Sequence, residues 1–149
     1  MRRFEVLPGY AQRGVRPPVR QTAGSAGYDL AAAEDAAVPA GGVGLVPTGL
    51  RVLLPPGEFL AVYARSGLAS RRGLVLANGV GIIDADYAGN PENGGHILLA
   101  VRNLGTADAW IARGERIAQA IFQAHGLADD DAAGGNRRGG FGSTGGGPA

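Results

Sequence analysis

Cysteine is absent from the 149-residue chain, which excludes a thiol nucleophile, a zinc ribbon and iron–sulfur ligation by its own side chains. Lysine is absent as well: all 14 basic residues are arginine. A Walker-type P-loop, which needs Gly-Lys-Ser/Thr, and a lysine Schiff base are thereby ruled out. The two histidines, His96 and His125, cannot supply a three-histidine metal site. No run of 18 apolar residues occurs, so no membrane partner is expected. The start, Met1-Arg2-Arg3-Phe4-Glu5, lacks a signal peptide's hydrophobic stretch, and the expected compartment is the cytoplasm. A formal charge of +1 gives no general attraction to nucleic acid. Anion chemistry must therefore use arginine, backbone amides and a metal ion free in solution.

What is present describes one globular domain. With 45% hydrophobic residues, the chain has an ordinary core composition. At this length it buries roughly two-thirds of its unfolded surface, so it needs no disulfide or metal to fold. The 27 glycines and 9 prolines fall at short intervals, as in Pro55-Pro56-Gly57, Asn78-Gly79 and Asn93-Gly94-Gly95. Between such turns lie short apolar runs at 4–7, 43–46, 50–54, 59–63, 74–76, 80–83, 97–101 and 117–122. That punctuation predicts an all-β sandwich or barrel. Asn78-Gly79 reads as a type I′ hairpin or a looser turn. Residues 68–72 allow one helical turn before Gly73, and 116–122 is taken as a strand after a tight Arg113-Gly114-Glu115 turn. The composition changes after Asp129-Asp130-Asp131. Residues 134–149 hold eight glycines and one apolar anchor, Phe141, so they form a flexible tail beside a domain of residues 1–133. Such a tail is either a disordered terminus or a lid that orders over a ligand.

Several constellations could carry chemistry. Gly140-Phe141-Gly142-Ser143-Thr144-Gly145 matches Gly-x-Gly-x-x-Gly, yet no strand precedes it and no helix follows, so the dinucleotide reading fails. Its amides and hydroxyls can still approach an anion. Arg65-Ser66-Gly67 follows a predicted strand and opens the short helical turn, which fits either a phosphate site or an ordinary turn with a solvated arginine. Asp84 and Asp86, two residues apart on an extended segment, would point to one face roughly 7 Å apart. Their repulsion would raise the proton affinity of one, as a general base near neutrality needs. Two solvated acids at a strand end fit the same pattern. Asp29 and Gln119 each interrupt an apolar stretch, as structural hydrogen-bonders or as groups around hydrated magnesium. His96 and His125 read as structural or surface residues.

The order of these segments resembles a known family. Ala26-Gly27-Tyr28-Asp29-Leu30, Arg65-Ser66-Gly67-Leu68-Ala69 and Gly81-Ile82-Ile83-Asp84-Ala85-Asp86-Tyr87-Ala88-Gly89 follow one another along the chain. Gly114-Glu115-Arg116-Ile117-Ala118-Gln119 and Gly139-Gly140-Phe141-Gly142-Ser143-Thr144-Gly145 complete the series. Together they resemble the five motifs of the homotrimeric deoxyuridine triphosphate nucleotidohydrolases, the dUTPases, over residues 26–145.

The resemblance implies a jelly-roll-like β-barrel, a homotrimer with active sites at subunit interfaces, and Mg2+-dependent cleavage of dUTP to dUMP and pyrophosphate. That reaction limits uracil incorporation into DNA and supplies dUMP for thymidylate synthesis. By the same resemblance Asp84 deprotonates the attacking water, while Asp29 and Gln119 act near the magnesium through water. Arg65, Ser66 and Gly67 hold phosphates. Asn78, Gly79, Ile82 and Ile83 belong to the uracil-reading turn, and Tyr87 packs on the deoxyribose and excludes a 2′-hydroxyl. The tail closes over the nucleotide with Phe141 on uracil and Gly142, Ser143 and Thr144 near the phosphates. Asn136 stands where the family's tail arginine is usual, leaving Arg137 or Arg138 for that contact. Residues 90–95 look like an insertion, read as a lengthened surface hairpin. Two rivals remain. A dCTP deaminase would want a catalytic glutamate where Ile97 to Val101 are all apolar, and a binding-only module would not need Asp84 with an aromatic tail.

Overall fold

Strands form where apolar residues recur between turns, and in the computed structural model, which describes residues 1–135, they are short and antiparallel. The expectations for Arg137, Arg138, Phe141, Gly142, Ser143 and Thr144 lie outside the described residues. The strands are β1 (Arg3–Val6), β2 (Tyr28–Ala31), β3 (Ala36–Val38), β4 (Val43–Pro47), β5 (Leu50–Leu53) and β6 (Glu58–Ala64). They continue with β7 (Leu74–Leu76), β8 (Gly81–Asp84), β9 (Leu98–Asn103), β10 (Ala109–Ile111) and β11 (Arg116–Ala124). A four-stranded sheet runs β2-β11-β6-β8, a three-stranded one β4-β9-β7, and β1-β5 and β10-β3 form two pairs. Their inner faces meet in one core that includes Leu30, Val46, Leu60, Leu74, Val101 and Ile117. This is the expected jelly roll. Among the described residues, no helix is long and apolar enough to cross a membrane.

Helix α1 (Ser66–Arg72) forms at the predicted turn and buries Leu68. Gly73 ends it at φ 60, with its N–H donating to Ala69 O at 3.0 Å, a left-handed cap that glycine adopts without strain. Arg72 ties the helix to the turn before β11 by donating to the Glu115 carboxylate and to the Trp110 carbonyl.

Two expectations change. The Asn78-Gly79 turn exists, with Gly79 at φ 71 and its N–H donating to Leu76 O at 3.0 Å. It is the looser turn and not a hairpin, because β7 pairs with β9 while β8 pairs with β6. The core draws the two strands into different sheets. Residues 90–95 are not a surface hairpin either. Asn90 and Gly95 are buried, and successive turns fold the segment back onto the 3-10 turn Tyr87–Gly89.

Candidate active site

Strand register decides which of the expected groups can meet. On the four-stranded sheet, Asp29 of β2 lies opposite Gln119 of β11, and Gln119 lies opposite Tyr63 of β6. Arg65 follows β6 directly, and Arg65 N–H donates to Ile117 O at 3.1 Å. Asp29, Gln119, Arg65 and Ser66 therefore gather at one end of the sheet. The Asp29 carboxylate, 11% exposed, receives Arg65 Nε at 3.4 Å and Arg116 Nη1 at 3.0 Å. Two guanidinium groups fix its orientation there. Gln119 lies across β2 so closely that a Cβ on Gly27 would stand 2.6 Å from Gln119 Oε1. Glycine at 27 is thus a requirement of Gln119.

Arg65 adopts an extended conformation at the start of α1 and gives no side-chain cap, and the first turn holds no acid. The leading amides beside Ser66 and Gly67 are left oriented for an anion. A Cβ on Gly67 would touch only the flexible Arg71 side chain, at 3.4 Å. Nothing among the described residues demands glycine there, whereas close approach of a ligand would. Next to Asp29, a cleft of about 290 Å³ is bounded by Arg13, Arg16, Arg113 and Arg116. Arg116 is the residue that sequence reasoning left without a role. Its signal was position: three residues before Gln119 on the strand that lies beside Asp29.

Asp84 sits elsewhere. It ends β8 opposite Phe59, near the start of β6, whereas Arg65 stands beyond the end of β6. Six strand residues at about 3.3 Å each separate the two backbones by roughly 20 Å. Strand β8 is a sheet edge among the described residues. Gly81 and Ile83 face inward, while Ile82 (57% exposed) and Asp84 face out. Asn78 and Gly79 are exposed in the turn that leads into it. The expected pair of carboxylates on one regular strand is not formed. The strand stops at Asp84, and Asp86 occupies the turn that opens the 3-10 segment. That same turn brings Tyr87 round. Its hydroxyl donates to His96 O at 3.2 Å and accepts from Asn93 Nδ2 at 3.0 Å. His96 is structural, as read: its Nε2 accepts the Gly49 N–H at 2.9 Å.

The antiparallel jelly roll thus brings Arg65 and the start of α1 to one sheet end and leaves an outward carboxylate on an edge strand. The dUTPase family model matches residues 15–145. A deoxyuridine 5′-triphosphate nucleotidohydrolase of Lactococcus lactis is 44% identical over 147 residues, covering 97% of this chain and 98% of that protein. The crystal structure of a dUTPase from Streptococcus mutans superposes with a TM-score of 0.81 at 40% identity, over 85% of this chain and 98% of that one. A mutant dUTPase from phage phi11 of S. aureus, which coordinates a structural Mg(II) ion, shares the fold with a TM-score of 0.74 at 19% identity, over 89% and 96%. The chain belongs to the dUTPase family.

Proposed function

We propose that this chain hydrolyses dUTP to dUMP and pyrophosphate at sites completed between identical subunits. Family membership supports the reaction. The observation that carries the shared site is the separation of roughly 20 Å between Asp84 and Arg65, far beyond the ~3 Å contacts a base, a water and a bound phosphorus must share. In a closed ring, the Asp84 edge of one subunit faces the Arg65 end of the next. Three sites per homotrimer follow, as the resemblance implies.

Within each site Arg65, Ser66 and the first amides of α1 hold the phosphates, with Gly67 allowing close approach. The neighbouring subunit supplies the turn at Asn78 and Gly79 with Ile82 and Ile83 for uracil, Tyr87 for the deoxyribose, and Asp84 as base. Water attacks the α-phosphorus. A new P–O bond forms, the α–β bridging bond breaks, pyrophosphate leaves, and the water's proton passes to Asp84. The tail, with Arg137 or Arg138, Phe141, Gly142, Ser143 and Thr144, closes over the nucleotide in this reading.

The donors near Asp29 fit magnesium only as an ion carried by phosphate and water. The described residues hold no group of three His, Cys, Asp or Glu that could cage a metal. Asp29, engaged by two arginines, and Gln119 offer polar atoms to an ion's water shell. Magnesium bound with the triphosphate neutralises charge on the transferring groups. In this reading the activity is cytoplasmic, where it would limit uracil incorporation into DNA and provide dUMP. Incubation with dUTP and Mg2+ tests the reading: pyrophosphate release supports it, while ammonia release or binding without turnover overturns it.

A further inference from the structure

We propose that Asn93, in the 90–95 segment, is a positioning residue that clamps Tyr87 and thereby sets discrimination between deoxyribose and ribose; this rests on the reading of Tyr87 against the sugar. The Tyr87 hydroxyl is held from two sides, accepting from Asn93 Nδ2 at 3.0 Å and donating to His96 O at 3.2 Å. Asn93 is itself fixed, because its Oδ1 accepts the Gly95 N–H at 3.0 Å. The segment is anchored to the turn that carries Tyr87. Asn90 N–H donates to Tyr87 O at 3.0 Å, and Gly94 N–H donates to Asn90 O at 2.8 Å. At its far end Gly95, at φ 80, lies so close that a Cβ would stand 2.6 Å from Ala88 Cα and 2.8 Å from Tyr87 O. The loop thus leaves from Tyr87's backbone, returns onto it, and grips the tip of its ring.

A ring can exclude one extra oxygen only if it does not yield. Tyr87 is attached at Cα, and its side chain turns about two torsions. Fixing the phenol end removes that freedom, so a 2′-hydroxyl meets a wall that cannot swing aside. The bulk of the ring supplies the barrier, and Asn93 supplies its stiffness. The segment is then part of the selectivity apparatus and not a neutral insertion.

The test compares kcat and KM for dUTP and for UTP in the full chain and in Asn93→Ala, Tyr87→Phe, their double variant and Tyr87→Ala. Asn93→Ala should lower the dUTP:UTP ratio of kcat/KM by about tenfold, the scale of one lost hydrogen bond, and Tyr87→Phe, which loses both bonds of the hydroxyl, by at least as much. The double variant should lower it no further than Tyr87→Phe alone, because without the hydroxyl Asn93 has no ring contact left to lose. Tyr87→Ala should lower it most. If Tyr87→Ala lowers the ratio while Asn93→Ala and Tyr87→Phe preserve it, the clamp is refuted and the sugar reading stands. If Tyr87→Ala also preserves it, both fall, although dUTP turnover by the unaltered chain would still support the reaction. Multiplying effects in the double variant would likewise refute the clamp. Tyr87→Phe removes the hydroxyl on which the clamp acts, so a preserved ratio in that variant refutes the clamp even if Asn93→Ala unfolds.

Discussion

Mixing two damaged chains offers a direct test of a site divided along β6. Asp84→Asn removes the proposed base and should lower turnover by about 10²–10⁴. Arg65→Ala removes a guanidinium from the phosphate end and should cost about tenfold to a hundredfold, as expected of a charge-assisted contact. Co-expressed with different tags and purified through both, the two chains form mixed assemblies. In a ring where each site takes Arg65 from one subunit and Asp84 from the next, every mixed trimer contains one junction with both residues intact, so activity returns to about one third of normal. A dimer with the same division would return to about one half. Initial rates of pyrophosphate release, normalised to protein, read the result. Activity no greater than the parents' would mean that both residues act within one chain, or that neither acts at all. Either outcome would sink the register argument.

Gly27→Ala should displace the Gln119 carboxamide, since the added Cβ would lie 2.6 Å from its oxygen, and so reduce kcat/KM by up to about a hundredfold with little change in Tm. Steady-state kinetics beside a melting curve checks this. Burial holds the His96 imidazole below its ordinary value near 6.5, with Glu34 opposing the shift. The unfolded chain therefore takes up protons first, and this contribution to stability, complete above pH ~6.5, is lost as pH falls through the folded value. Urea titrations should show a shallower acid-side loss in His96→Gln than in the parent. Deleting residues 134–149 should leave Tm nearly unchanged and strongly lower turnover, while Arg137→Ala and Arg138→Ala should differ in effect. Equal, silent arginine variants would remove both from the mechanism.

The architecture was legible where runs were long. The 59–63 and 117–122 runs became β6 and β11, because short, nearly continuous apolar runs between turn signals suit strands buried in a sheet. Strands β3 and β10, three residues each, went unforeseen because pairing and not local pattern defines them. Tyr28–Ala31 was hidden by its acid. The candidate site stands out in the sequence as residue types in order, but not as geometry. Nothing in the spacing of Arg65 and Asp84 reveals that they stand at opposite ends of one strand. Ala85 carries no turn signal, so the sequence leaves both a regular strand and a turn before Tyr87 open. The anchoring of Asn93 on Tyr87 is a through-space contact across six residues.

Strand β8 has a consequence for how this gene tolerates change. Gly81 and Ile83 serve the interior of their own protomer, while Ile82 and Asp84 serve the outside. A two-residue repeat cannot absorb a shift of one. Losing or gaining a single codon between 79 and 83 would turn the carboxylate inward and bring Ala85 (on loss) or Ile83 (on gain) into its place, although the protein's composition would barely change. Within those five positions, reading-frame-preserving indels should be purged more severely than most substitutions, and a deep mutational scan that includes them would reveal it.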